Sequence, residues 1–229
     1  MPATRFTDEL FAEIRDDYAA ILAHPFLTGL LDGTLPEAAF RHYVRQDAHY
    51  LRDYARALAV VGAKATDEEG IVRFCTDAAE AITVERTLHA GLLTELGLAG
   101  EADAHDVRPT TLAYTSYLLR TAYQGSYAEA VAVVLPCYWI YALVGAELLA
   151  APASPNPLYR TWIATYGGEQ FQAVVAAVLN TVNRIGPALS TAERARFVEH
   201  VRITTRYEWM FWDAAWRQEQ WPAELGRPN

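Results

Sequence analysis

The 229-residue chain holds only two cysteines, Cys75 and Cys137, too few for a framework of disulfides. It also lacks any run of basic residues: 19 Lys and Arg are scattered among 28 Asp and Glu, for a net charge of -9. No nucleic-acid partner is expected, because phosphate recognition needs a concentrated positive surface. Missing as well are a Gly-rich phosphate loop, a serine nucleophile elbow and any Cys or His cluster at zinc spacing. Phosphoryl transfer, serine hydrolysis and metal hydrolysis therefore have no motif behind them. The segment from Met1 to Leu10 is without the apolar stretch of a secretory signal, and a reducing, cytoplasmic setting is expected.

What the chain has in quantity is apolar residues at helical spacing, 52% of the sequence being hydrophobic. No segment sustains the two-residue alternation of a half-buried strand, so an all-α fold of about eight helices is expected, with residues 1–229 forming a single domain. The first helix is expected to begin after Thr7 and to end at Pro25. A second, short one closes at Gly33, and a long one starts near Pro36 with Phe40, Tyr43, Val44, Leu51, Tyr54, Leu58 and Val61 on one stripe. Further helices are expected over Asp67–Gly97, Thr110–Gln124, from the Ser126/Glu129 capping box onward, up to Gly167, over Glu169–Ile185, and after the Ser190/Glu193 capping box. The run from Ala130 to Ala151 carries one charge, Glu147, and approaches the length of a membrane span. Pro136, its ring-hydroxyl positions and the amphipathic segments around it instead predict a central helix buried on all sides, with no membrane partner.

Several polar residues fall where apolar ones belong. Asp47 lies three residues after Val44 and four before Leu51, and Glu208 seven after Val201 and three before Phe211, so both carboxylates point into apolar stripes. Burying a carboxylate costs several kcal/mol or raises its pKa, which makes Asp47 and Glu208 candidates for acid–base work. Each could equally be neutralised by an arginine from a neighbouring helix. Cys137 follows Pro136, which removes a backbone hydrogen bond and is expected to kink or open the helix beside the thiol. Tyr141, one turn on, could donate to a thiolate. Cys137 thus reads as a nucleophile or as a small core residue, whereas Cys75, between Phe74 and Ala78 on an apolar stripe, reads as structural. Glu85 and His89 stand at i,i+4 but have no second Glu-x-x-His to complete a di-metal site, and read as a local hydrogen-bonded pair.

The segments Gln46-Asp47-Ala48-His49-Tyr50-Leu51, Ala113-Tyr114-Thr115-Ser116-Tyr117, Leu135-Pro136-Cys137-Tyr138-Trp139-Ile140-Tyr141 and Tyr207-Glu208-Trp209-Met210-Phe211-Trp212 resemble the TenA family of thiaminase II proteins over the whole chain. The resemblance implies a haem-oxygenase-like helical bundle, a homotetramer, no cofactor and no metal. It also implies hydrolysis of 4-amino-5-aminomethyl-2-methylpyrimidine, or of thiamin, to the hydroxymethylpyrimidine in thiamin salvage. Carried over by position, Cys137 is the nucleophile, Glu208 the proton donor and Tyr50 the group that raises thiol reactivity. Asp47 and Tyr141 contact the substrate, Tyr114 and Phe211 line the pyrimidine pocket, and Tyr166 matches a further substrate tyrosine. The alternatives are a non-catalytic pyrimidine binder or regulator using the same cavity, and an oxidase on the same fold.

Overall fold

The computed structural model describes residues 5–95 and 107–222, and only the backbone of 84–90 and 92–95. The Glu85–His89 pair lies outside the described side chains. The described chain is helical with short connections: α1 (Phe6–Leu22), α2 (Pro25–Asp32), α3 (Glu37–Lys64), α4 (Glu68–Glu95), α5 (Pro109–Gln124), α6 (Tyr127–Ala150), α7 (Pro157–Gly167), α8 (Glu169–Ile185), a single 3-10 turn (Gly186–Ala188) and α9 (Thr191–Trp216). Punctuation follows local chemistry. Pro25 does not simply end α1 but opens α2, where its fixed φ and missing N–H cost nothing, and Gly33 closes α2 at φ 82°, a left-handed conformation that glycine adopts without strain.

The start of α1 differs from the sequence expectation. Thr7 is inside the helix and buried, and the first turn is held instead by Arg5 and Asp8, which bond each other's side chains and backbone. The expected capping boxes at Ser126/Glu129 and Ser190/Glu193 are both present. At α6 the Ser126 backbone N–H donates to Glu129 at 2.8 Å. That bond, partly opposed by desolvation and aided by the Ser126 hydroxyl, Arg196 and His200, holds the Glu129 carboxyl down at about 2.

The core is organised around α6, which packs on α9, α7, α5, α3 and α8. Among the described residues it is the one helix long and apolar enough to cross a membrane, and its residues from Ala130 to Pro136 are all buried. Each Val or Leu enclosed this way contributes roughly 1.5–3 kcal/mol relative to exposure. The helix runs uninterrupted through Pro136, so the proline removes a backbone donor without ending the element. The predicted stripe of α3, from Phe40 to Val61, is buried throughout, and so are Phe197, Val201, Phe211, Trp212 and Ala215 of α9.

One phase is corrected. On α4 the inward residues are Phe74, Asp77 and Ala78, while Cys75 is exposed. Its sulfur rests against Gly62, where a Cβ would stand 2.7 Å from Sγ. Cys75 therefore fills a close approach between α3 and α4 at the edge of the bundle, not a position in its core.

Candidate active site

A cavity of about 470 Å³ opens between α3, α4, α6, α7 and the start of α8. Asp47 from α3, Cys137 and Tyr141 from α6, and Tyr166 from α7 all face it. Four residues singled out by sequence thus meet around one cavity. Tyr50, Tyr114, Glu208 and Phe211 do not line the cavity; they form the layer directly behind it. There Tyr50 packs on Tyr114 at 4.9 Å and on Phe211 at 5.6 Å, and the Tyr114 hydroxyl donates to Glu208 Oε1 at 2.6 Å.

Cys137 reaches the cavity from deep within the bundle. Burial pushes its thiol well up, and the nearby Glu208 and Asp47 carboxylates push it further, while Tyr50 and Tyr54 act in the opposite direction. The two phenols are not equivalent. Tyr54 commits its proton to the Val134 carbonyl at 3.0 Å, whereas the buried Tyr50 hydroxyl makes no full hydrogen bond. Tyr50 is therefore the phenol free to donate to a thiolate. Tyr141, the phenol one turn beyond the thiol, accepts from a chain of buried donors. Trp162 Nε1 donates to the Tyr43 hydroxyl at 3.2 Å, which donates to Tyr141 Oη at 3.2 Å. The Tyr141 proton is left to point elsewhere, and burial raises its pKa far enough to keep it a donor.

Glu208 is 1% exposed. Desolvation raises its carboxyl to about 8; the Tyr114 hydrogen bond works against this and the Asp47 charge reinforces it. At neutral pH Glu208 is mostly protonated, which is the state a general acid needs. Asp47, 3% exposed, faces the cavity from the opposite helix.

Tyr166 owes its place to two glycines. A Cβ on Gly145 would lie 2.4 Å from the Tyr166 carbonyl carbon, and one on Gly167 2.5 Å from the Gly145 oxygen, so α6 and α7 touch backbone to backbone. Gln172 then donates to the carbonyls of Ala142 and Tyr166 at 2.8 and 3.1 Å. The result is a Tyr141–Tyr166 ring separation of 4.8 Å. A Gly145→Ala substitution is expected to force α7 outward and cost about 1–3 kcal/mol, read as a lower denaturation midpoint together with a raised KM.

Sequence reasoning missed Asp77, Tyr138 and Tyr54. Asp77 is buried at 4% exposure and accepts from the Tyr138 hydroxyl at 2.8 Å; all three line the cavity. Asp77 lies three residues after Phe74, the same spacing by which Asp47 follows Val44. The misplaced phase of α4 hid it.

A bundle that draws a thiol, carboxylates and phenols around one internal cavity defines a protein that takes in a small molecule. Its fold is haem-oxygenase-like: a domain of that fold from Shewanella denitrificans OS217 superposes with a TM-score of 0.73 at 15% identity, over 93% of this chain and 92% of that one. The chain belongs to the TENA/THI-4/PQQC family, whose family model matches residues 11–218. It is 34% identical to an aminopyrimidine aminohydrolase of Bacillus subtilis over 95% of this chain and 92% of that protein. A TenA homologue from P. horikoshii OT3 superposes with a TM-score of 0.85 at 29% identity, over 93% of this chain and 99% of that one.

Proposed function

We propose that this protein is an aminopyrimidine aminohydrolase that releases ammonia from 4-amino-5-aminomethyl-2-methylpyrimidine by covalent catalysis from Cys137. The observation carrying this reading is the placement of the Cys137 thiol on the cavity wall, with the buried Glu208 carboxyl, which holds its proton up to about pH 8, close enough behind it to act on the thiol. The 34% identity to the Bacillus subtilis enzyme supports the same reaction.

The Cys137 thiolate adds to an electron-deficient ring carbon, forming a C–S bond, while Glu208 donates a proton to the ring. The dearomatised ring pushes its electrons outward, breaking the exocyclic C–N bond of the substituent in its ammonium form, so that neutral ammonia leaves. Water adds to the methylene and gives its proton to the departing ammonia, Glu208 recovers its proton from the ring, and aromaticity returns as the C–S bond breaks. The sum is water in and ammonia out. Asp47 and Tyr141 hold the polar edge of the ring, and Tyr166 supplies a face for it. Behind them Tyr114 fixes Glu208, and Phe211 packs against Tyr50.

Tyr50→Phe deletes the phenol free to donate to the thiolate while keeping the ring contacts. The expected result is a fall in kcat/KM of about tenfold or more, with the alkaline onset of activity moved to higher pH. An unchanged pH profile would remove Tyr50 from thiol activation. The test of the reaction itself compares ammonia release from the aminopyrimidine with thiazole release from thiamin by the purified protein. Turnover of the aminopyrimidine is expected; saturable binding without turnover of either compound would contradict the proposal.

A further inference from the structure

The catalytic wall occupies one part of the cavity, and the remainder has a chemistry of its own. A volume of about 470 Å³ lies in the range that encloses a drug-sized molecule, more than a single pyrimidine ring requires. The cavity is also lined by Asp77 and Glu80 of α4 and by Glu169 and Phe171 of α8. Together with Asp47 this makes four carboxylates, and among the described residues no Lys, Arg or His lines the cavity. Arg73 approaches Asp77 at 3.4 Å from outside that lining.

Asp77 is fixed relative to the thiol. Its partner Tyr138 directly follows Cys137, is itself buried, and packs edge-on against Tyr54 at 5.8 Å. The carboxylate is thus bonded to the same turn of α6 that carries the nucleophile. Glu80 follows three residues later on α4, is exposed, and extends the acidic surface outward. A low-dielectric wall of one charge sign focuses its field into the cleft, raising the local concentration of cations and repelling anions.

We propose that Asp77 and Glu80 form a leaving-group end of the cavity that selects pyrimidines bearing a cationic substituent on the exocyclic methylene and excludes their phosphate esters. The inference rests on the aminopyrimidine reading of the site and adds its charge selectivity. Holding the substituent as an ammonium also serves the chemistry, because an amine that departs with its proton already in place leaves as neutral ammonia. The neutral hydroxymethyl product loses this attraction and is released.

Three ligands sharing one ring test the idea: the aminomethylpyrimidine, which is a cation at pH 7, the neutral hydroxymethylpyrimidine, and the phosphate ester of the latter. Dissociation constants are measured by calorimetry for the wild type, Glu80→Gln and Asp77→Asn. The wild type is expected to bind in the order cation, neutral, phosphate ester. Each variant is expected to weaken the cation about tenfold, the scale of one partly desolvated charge contact, to leave the neutral ligand within about twofold, and to bind the phosphate ester more tightly. Equal weakening of all three ligands, or a wild type blind to charge, overturns the proposal. Glu80 is exposed, so Glu80→Gln keeps the test decisive if Asp77→Asn disturbs Tyr138 and the fold. Charge-ordered binding without turnover would contradict the aminohydrolase reading while sustaining the selectivity; turnover with charge-blind binding would do the reverse.

Discussion

Replacing Cys137 by Ser is expected to lower kcat for ammonia release by at least about 10³-fold while leaving the fold and substrate affinity in place. A serine hydroxyl occupies less space than the thiol but reproduces its polarity, so the packing cost in a cavity wall is small. The chemical cost is large, because an alkoxide forms far less readily than a thiolate. Burial and two carboxylates already oppose ionisation of the thiol. They would oppose a serine alkoxide more strongly still. The check is kcat and KM for the aminopyrimidine alongside a thermal melt. A variant with wild-type kcat would remove the covalent step, and a variant that fails to melt cooperatively would instead give Cys137 a structural role.

Glu208→Gln carries the second large effect, and it has two readouts. Loss of the proton donor is expected to reduce kcat/KM by about 10²- to 10⁴-fold, the usual contribution of a positioned acid. Stability is expected to move the other way at alkaline pH. In the folded chain Glu208 keeps its proton up to about pH 8, whereas the unfolded chain releases it near 4.5. Between those values the folded state binds the extra proton, so its contribution is full below pH 4.5 and is lost as pH rises towards 8. The wild type should therefore lose up to about 1.4 kcal/mol per pH unit from this group across that window. The neutral glutamine, still able to accept from Tyr114, should abolish that slope and be the more stable protein at pH 8. Denaturant unfolding at pH 5, 6.5 and 8 reads this directly; identical slopes in the two proteins would contradict the buried, protonated state.

Much of this site is written in helical periodicity. Asp47 and Glu208 interrupt stripes of otherwise apolar residues, and the structure buries both at the same place because α3 and α9 each pack on α6. Pro136 next to Cys137 marks the only thiol that reaches the cavity among the described residues. Periodicity fails where a helix has a weak stripe. On α4 a small residue, Cys75, and a charged one, Asp77, compete for the inward position, and hydrophobicity ranks them the wrong way. It is the Tyr138 hydroxyl, 61 residues away in sequence, that makes burial of Asp77 favourable. Nor does a sequence distinguish the wall of a cavity from the layer behind it. Tyr114 and Phe211 are inward on their helices just as Tyr141 is, but of the three only Tyr141 lines the cavity.

The same limit applies to the thiol's activation. Periodicity offers Tyr141, one turn along the same helix, as the neighbour of Cys137. The tertiary fold gives Tyr141 to the Trp162–Tyr43 chain and brings Tyr50 to the thiol from α3. Tyr50 is a long-range neighbour of the thiol, and its buried hydroxyl makes no full hydrogen bond.

The presence of two cysteines, one exposed at the bundle edge and one in the cavity, allows the central claim to be tested chemically in the unaltered protein. Alkylation with iodoacetamide is followed by peptide mass mapping and residual ammonia-release activity, with and without the hydroxymethylpyrimidine. Activity is expected to fall in step with modification of Cys137 and not of Cys75, and the pyrimidine is expected to protect Cys137 and activity together. Full activity in protein quantitatively alkylated at Cys137 would contradict the account.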